Sequence, residues 1–300
     1  MNPLYLGLAL TALVLVSLVL WFLRRFDVIG GGGGGSSGGG SGGGGGGSVP
    51  PRPGHIAGFL EKGQPWFSCH MIFAPKNAGR EQAIIDSALA HGWTTLYIMA
   101  LLEKDYGGLS VRYTHDQQAH WRKWMAEIRR RGLKIVLWVR SDDSPGADKW
   151  SDAQYLDFAR LLHDDLGDLV DEWVSALEAD EYWTESRCQH LNRELRKLVA
   201  PARVGCHITP RLDHIGWCAG ADVAYIQPGF SRGPAEVAAY CRDAATRWPG
   251  PIVCAEYDLV SSSPSAQAKG DAAAKAHARI IGVGTGCGDE GRRILAARAP

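Results

Sequence analysis

The chain begins with an apolar segment that is long enough to cross a membrane. Residues 4–23, LYLGLALTALVLVSLVLWFL, contain no charged side chain. About 20 helical residues, at a rise of roughly 1.5 Å each, span a bilayer core of about 30 Å. The pattern predicts one transmembrane helix, with Tyr5 and Trp21 near its ends, where interfacial aromatic residues belong. A cleaved signal peptide is the alternative, but its basic start and small-residue cleavage site are missing.

The next segment, residues 30–48, contains only glycine and serine. Such a segment is a flexible coil with an r.m.s. span of about 24 Å. We therefore predict a membrane anchor over residues 1–28, a linker over residues 29–54 and a folded domain over residues 55–300. Because Arg24 and Arg25 follow the apolar segment, the positive-inside rule predicts a single-pass membrane protein with a cytoplasmic domain. A virion membrane is the alternative location.

Beyond residue 55, apolar runs of strand length alternate with longer segments of helical periodicity. The runs are nearly continuous in apolar residues, as expected of parallel strands that are covered on both faces. Eight such units in about 230 residues predict an α/β fold, a closed (β/α)8 TIM barrel. An open doubly wound sheet is the alternative, but no G-x-G-x-x-G or P-loop sequence supports it. The runs are residues 66–73, 94–101, 134–140, 172–180, 203–210, 222–229, 251–258 and 280–287.

Charge and aromatic content narrow the function of this domain. The chain has 32 basic and 32 acidic side chains, so its formal net charge is zero. Binding to nucleic acid needs a basic excess, and we therefore expect no nucleic-acid partner. The chain also has 11 tryptophans, and flat rings at a barrel rim can stack on sugars. A neutral, aromatic-rich domain favours an uncharged ligand such as a glycan.

The most informative polar residues are two glutamates at strand ends, where active sites form in this fold. Glu178 and Glu256 each end an otherwise apolar stretch, VSALE and IVCAE, on the fourth and seventh strands. A carboxylate at such a position destabilises the fold unless it is paired or used. A retaining glycosidase needs two carboxyl groups about 5–5.5 Å apart, one as acid/base and one as nucleophile. The alternative is a structural pair that Arg140 or His207 holds.

The two strand ends also carry a family resemblance. A fourth strand that ends in glutamate, together with PIVCAEYD as the seventh, resembles the clan A glycoside hydrolases, a superfamily of (β/α)8 barrels. The resemblance covers about residues 55–290 in layout and is specific at those two strand ends. It implies that Glu256 is the nucleophile and Glu178 the acid/base, and that Tyr225 on the sixth strand orients the nucleophile.

The chain departs from the clan pattern at two places. The clan usually has asparagine directly before the fourth-strand glutamate, whereas Leu177 precedes Glu178 here. The step Asp180-Glu181 is closer to Asn-Glu, so Glu181 is the alternative acid/base. The clan's usual eighth-strand tryptophan is absent from the eighth run. These departures leave open a barrel that binds a glycan without cleaving it.

Further side chains near the strand ends are candidates for binding a sugar, and we expect neither a metal nor a cofactor. The acidic segment of residues 178–182 also resembles the fourth-strand motifs of chitinase-like and lysozyme-like barrels, but it lacks their D-x-D-x-E sequence. A metal centre from His70, His207, Asp180 and Glu256 is the other enzyme class, although the first strand has a lone histidine and no H-E-x-x-H occurs. The candidates for sugar binding are His70, Arg140, Asp180, Trp183, His207, Tyr225, Gln227 and Tyr257.

Together these features predict a membrane-tethered glycoside hydrolase that acts on a polysaccharide or a cell-wall glycan such as peptidoglycan. Its second partner is the lipid bilayer, which residues 4–23 would contact. The alternative is an inactive barrel that binds a glycan or a capsid or envelope protein. A virion protein of a bacteriophage with an internal membrane would fit that alternative.

Overall fold

The computed structural model describes residues 66–67, 72–90, 94–105, 110–142, 144–258 and 264–285. The chain divides into two units, Met1–Ser48 and Val49–Pro300, and every described residue belongs to the second. The predicted anchor and linker therefore lie outside the described residues. Within the described ranges, no helix is both long enough and apolar enough to cross a membrane.

Eight strands form one sheet in which all hydrogen-bonded neighbours are parallel. Neighbouring strands follow each other in chain order from β2 to β8, and β8 pairs with β1. Because β1 and β2 also contact each other, the sheet curls into a barrel-like form, which confirms the predicted α/β class. The strands are β1 Trp66–Phe67, β2 Thr95–Met99, β3 Lys134–Trp138, β4 Glu172–Val174, β5 Arg203–His207, β6 Val223–Ile226, β7 Ile252–Cys254 and β8 Ile280–Thr285.

Helices connect the strands, as the alternating pattern predicts. The connection between β5 and β6 differs, because it contains only a 3-10 helix, Leu212–Cys218. A short antiparallel pair, Leu101–Leu102 with Val111–Arg112, extends the connection after β2. The α-helices are α1 Glu81–Ala90, α2 Gln118–Arg130, α3 Asp152–Leu166, α4 Glu185–Val199, α5 Pro234–Arg247 and α6 Pro264–Ala276.

Local sequence explains where these helices begin. Ser151 precedes α3 and accepts the backbone N–H of Gln154 at 3.3 Å, while the Gln154 side chain accepts the Ser151 N–H at 2.8 Å. This capping box satisfies two N–H groups that the first helical turn leaves free. Before α4, Thr184 accepts the Arg187 N–H at 3.3 Å. Each cap fixes a helix start immediately after a strand-end loop, and so it fixes the loop as well.

A buried polar network occupies the barrel interior. Arg203 Nη2 lies 2.6 Å from Glu172 Oε2, and these residues are register partners at the starts of β5 and β4. The Tyr225 hydroxyl donates to Glu172, and the Tyr225 ring also meets the ring of Tyr97 on β2 across the barrel. Gly205 makes room for Tyr225, since a Cβ there would lie 2.4 Å from a ring carbon.

Candidate active site

The structure places both predicted catalytic glutamates in loops that follow strands at the same end of the sheet. Glu178 follows the last residue of β4, Val174, by four positions, and Glu256 follows the last residue of β7, Cys254, by two. Because all eight strands are parallel, both loops lie at the carboxyl end of the sheet. That end carries the active site in barrels of this type.

Both glutamates have a backbone conformation that L-amino acids rarely adopt. The φ angle is +47° at Glu178 and +51° at Glu256, and no other non-glycine residue in the described ranges has a positive φ. A left-handed conformation costs an L-residue roughly 1–2 kcal/mol. Strain of this kind concentrates at functional sites, where it fixes the direction of a side chain. The two residues selected from the sequence therefore also share a strained backbone conformation, an observation that is independent of the sequence pattern.

Hydrogen bonds hold the backbone of Glu178 in this conformation. Its N–H donates to Nδ1 of His207 at 3.1 Å, and its carbonyl accepts the N–H of Glu181 at 3.0 Å. A ring nitrogen that accepts an N–H carries no proton, so the proton of neutral His207 lies on Nε2. His207 is fully buried at the end of β5. Its ring therefore positions the Glu178 loop from the neighbouring strand.

The Glu178 carboxyl lies in an environment that favours its protonated form. The residue is 7% exposed. Burial raises the pKa of Glu178 well above its ordinary value, and the charges of Asp142, Glu256 and Glu181 and a hydrogen bond with Asp142 raise it further. A carboxyl group with a raised pKa keeps its proton to a higher pH than an ordinary carboxyl group, which suits it to the role of a general acid.

Asp142, Glu178 and Glu181 form an acidic triad. Their carboxylate oxygens lie within 4.8 Å of one another. Asp142 is half-buried and accepts the Ser141 hydroxyl at 2.8 Å, whereas Glu181 is exposed. Three ionised carboxylates repel one another at this distance, and a retained proton or a hard cation relieves that repulsion. The triad is the one place in the described ranges where such a cation could be held by three side chains.

Glu256 faces the same region from β7. The residue is half-buried between two buried neighbours, Ala255 and Tyr257. Its negative charge contributes to the raised pKa of Glu178, after burial and Asp142. It also contributes to the raised pKa of Tyr97, where burial and Glu172 contribute more. Glu256 is therefore close enough to act electrostatically on both Glu178 and Tyr97.

Two of the predicted sugar-binding residues stabilise the surrounding loops. Arg140 is 1% exposed, forms an ion pair with Asp148, and lies 3.8 Å from the ring centroid of Tyr182. Asp180 accepts the N–H and the hydroxyl of Thr209, at 2.8 and 2.5 Å, and contacts His214 Nδ1 at 2.8 Å. The guanidinium of Arg140 and the carboxylate of Asp180 therefore already have partners within the protein.

The other predicted sugar-binding residues are mostly buried. Trp183 is 5% exposed and packs edge-on against Tyr155 at 5.3 Å. Tyr225 and Tyr257 are fully buried, and Tyr225 donates to Glu172 instead of to Glu256. Gln227 is 6% exposed, and its Oε1 has no hydrogen-bond partner within the described ranges. His70 lies outside the described residues. The structure thus brings Glu178, Glu181, His207 and Glu256 together more clearly than the rest.

The sequence did not identify two contributions that the structure makes plain. Asp142 follows β3 in a polar stretch, and nothing in that stretch distinguishes it from its neighbours. The Glu172–Arg203 pair could have been found, since both charges begin an apolar run and the runs are consecutive. Parallel register then places the two side chains next to each other.

Comparison with known proteins supports the fold and little beyond it. No family model matches the chain, and no curated protein sequence matches it significantly. Solved structures of glycoside hydrolases do match, and they confirm the expected resemblance to clan A-like barrels at the level of the fold.

One of these structures is described as a glycoside hydrolase, with a TM-score of 0.57 and 9% identity over 74% of this chain and 61% of the other. A family 5 glycoside hydrolase from Bacteroides vulgatus gives a TM-score of 0.55 and 11% identity, with 74% and 58% covered. A GH113 β-1,4-mannanase gives 0.52 and 13%, with 74% and 86% covered. This chain therefore spans less than two thirds of the first two proteins.

Proposed function

We propose that this protein is a retaining glycoside hydrolase in which Glu178 is the acid/base and Glu256 the nucleophile. The observation that carries the proposal is the pair of glutamates itself. Both follow barrel strands, both have a positive φ, and the charge of one contributes to the raised pKa of the other. The two roles require different charge states, because the acid must start protonated and the nucleophile must start ionised.

In the first step, the Glu256 carboxylate attacks the anomeric carbon while Glu178 gives its proton to the leaving oxygen. The glycosidic bond breaks, and a covalent glycosyl–Glu256 ester forms. In the second step, the ionised Glu178 takes a proton from water, and that water displaces Glu256 from the anomeric carbon. Asp142 and Glu181 favour return of the proton to Glu178, because their charges contribute to its raised pKa.

The acid/base role fits Glu178 better than Glu181. Glu181 is exposed at the end of a 3-10 turn, so water competes for its carboxyl group. Glu178 is buried, and His207 and Glu181 hold its backbone. Glu181 then acts as one of the charges that favour a proton on Glu178.

Turnover by active-site variants tests this assignment. Wild type, Glu178→Gln and Glu256→Gln are assayed against neutral and acidic polysaccharides and peptidoglycan fragments. Both variants are expected to lose roughly 100-fold to 10,000-fold in kcat on any glycan that the wild type cleaves. Glu194→Gln, a half-buried glutamate on α4, is the matched control and keeps full activity. Equal activity of Glu256→Gln and wild type would refute the assignment.

The anchor and linker suggest where this activity operates. We propose that residues 4–23 hold the protein in a bilayer and that the Gly/Ser linker lets the barrel reach a glycan some tens of ångströms away. Deletion of residues 1–28 is expected to release the protein from the membrane fraction of expressing cells. Recovery of the deleted and full chains in the same fraction would contradict the tether.

A further inference from the structure

A groove lies beside the barrel where one connecting α-helix is replaced. Its volume is about 600 Å³, within the range of about 300–1,000 Å³ that small-ligand sites occupy. One wall is formed by Pro210 to Asp213, at the start of the 3-10 helix between β5 and β6. The other wall is formed by α5 and by Arg232 just before it. The groove exists because the short 3-10 helix covers less surface than the α-helices elsewhere.

Most of the charges in the groove neutralise one another. Arg211 pairs with Asp213 at 3.1 Å. Arg247 donates two hydrogen bonds to Asp243, each of 3.0 Å. Two charges are exceptions, because neither Arg232 nor Glu236 forms an ion pair in the described ranges. Glu236 Oε2 accepts the N–H of Gly233 at 2.7 Å, which leaves Arg232 as the unpaired cation of the groove.

Arg232 is also held in place. Its Nε donates to the carbonyl of Pro228 at 2.5 Å, and its guanidinium lies 5.0 Å from the ring centroid of the buried Tyr240. Arg232 is half-buried, so less of its rotamer entropy remains to be lost on binding a ligand. The two terminal nitrogens of the guanidinium remain for a ligand, and a planar guanidinium matches a carboxylate in bidentate geometry.

The groove is joined to the loop that carries the acid/base. Pro210 in its wall directly follows Thr209, and Thr209 holds Asp180 through two hydrogen bonds. Asp180 is two residues from Glu178. A chain-like ligand that extends from the barrel rim would meet the groove on this side.

We propose that the groove is a binding site for an acidic sugar unit, whose carboxylate Arg232 binds. The choice of a sugar rests on the proposed glycosidase function, while the choice of a carboxylate rests on Arg232 and the groove. The lining of the groove is neutral overall, like the chain, so the proposed selectivity comes from the fixed guanidinium of Arg232 and not from an excess of positive charge.

Binding of two matched disaccharides tests the proposal without turnover. The full chain carrying Glu256→Gln, in a detergent without a sugar headgroup, is titrated with cellobiouronic acid and with cellobiose by calorimetry. These sugars differ in one carboxylate. The acid is expected to bind about tenfold more tightly, because hydrogen bonds between charged groups are the stronger kind. Arg232→Gln removes this preference, and Arg247→Gln, the same change at a paired arginine of the groove, leaves it.

Other outcomes separate the alternatives. Equal affinity for the two sugars, or the same loss with Arg247→Gln as with Arg232→Gln, overturns the proposal. Glucose 6-phosphate is titrated as well. If it binds about tenfold more tightly than cellobiouronic acid and this binding depends on Arg232, the groove is a phosphate site and the proposal is overturned. If Arg232→Gln does not fold by circular dichroism, Arg232→Lys keeps the charge without the fork and is expected to lose most of the preference. A wild type that cleaves no glycan but retains Arg232-dependent binding overturns the glycosidase alone.

Discussion

The positive φ angles at Glu178 and Glu256 predict a reversed response to glycine. At an ordinary helical position, glycine is about 1 kcal/mol less stable than alanine. At a left-handed position, alanine bears a strain of roughly 1–2 kcal/mol that glycine lacks, and glycine's larger chain entropy offsets about 0.5–1 kcal/mol. Glycine variants at residues 178 and 256 are therefore expected to be about 0.5–1 kcal/mol more stable than the alanine variants.

Comparison of alanine with glycine at one position isolates the backbone. Both variants remove the carboxylate and its contacts, so those losses cancel. For a domain of this size, the difference corresponds to roughly 1–4 °C in Tm. Glu194 on α4 is the matched control, and there glycine is expected to be the less stable variant by about 1 kcal/mol.

Urea unfolding followed by tryptophan fluorescence measures the three pairs of variants. Glycine variants that are less stable than the alanine variants at residues 178 and 256 would refute the strain argument. The sign at residue 194 shows whether the assay resolves the effect. Activity is expected to be lost in all four variants at the site, because each removes the carboxylate that the proposed reaction uses.

Three further predictions concern the site and its support. Activity should fall as pH rises through the raised pKa of Glu178, because the acid must be protonated. Asp142→Asn should move that fall to lower pH, because it removes a charge that raises this pKa. A pH profile that the substitution leaves unchanged would contradict this. Tyr225→Phe should lower the free energy of unfolding, measured in urea, by about 1–3 kcal/mol, because Glu172 loses a buried donor. The same variant should change kcat only a few-fold. A stable variant with a kcat lower by about 100-fold would place Tyr225 at the nucleophile instead. Dialysis against EDTA should leave kcat unchanged if a shared proton occupies the triad of Asp142, Glu178 and Glu181, and loss of activity restored by Mg²⁺ or Ca²⁺ would assign that triad to a cation.

The positions of the strands were predictable because their signal is local. Each observed strand from β1 to β8 lies within one of the eight apolar runs. Parallel order then fixed which ends of the strands come together, and so Glu178 and Glu256 could be selected from the sequence.

The direction of side chains within a fully buried strand was not predictable in the same way. All four residues of β6 are buried, so no alternation of polar and apolar residues shows which of them point inward. Tyr225 points into the barrel because Gly205 on the adjacent strand leaves space for its ring. A glycine in the middle of β5 was the available signal, but it has meaning only once the register of the two strands is known.

The contacts of the acidic triad depend on loop geometry that local patterns do not encode. Asp142 and Glu178 come from different strand-end loops, and Glu181 joins them through the turn that a left-handed Glu178 begins. Neither a period nor a propensity predicts a positive φ at glutamate, since the conformation opposes the residue's own preference. Departures of this type are expected at functional sites, where local rules are overridden.

In the proposed reaction, Glu256 forms a covalent bond to the sugar. The most direct measurement is intact-mass and peptide-map spectrometry of the full chain after incubation with a panel of activated 2-deoxy-2-fluoro glycosides. These compounds form the glycosyl ester readily but release it slowly. We expect one added sugar mass on the peptide that contains Glu256, and none in Glu256→Gln. A label on Glu178 or Glu181, or hydrolysis with inverted anomeric configuration, would contradict it.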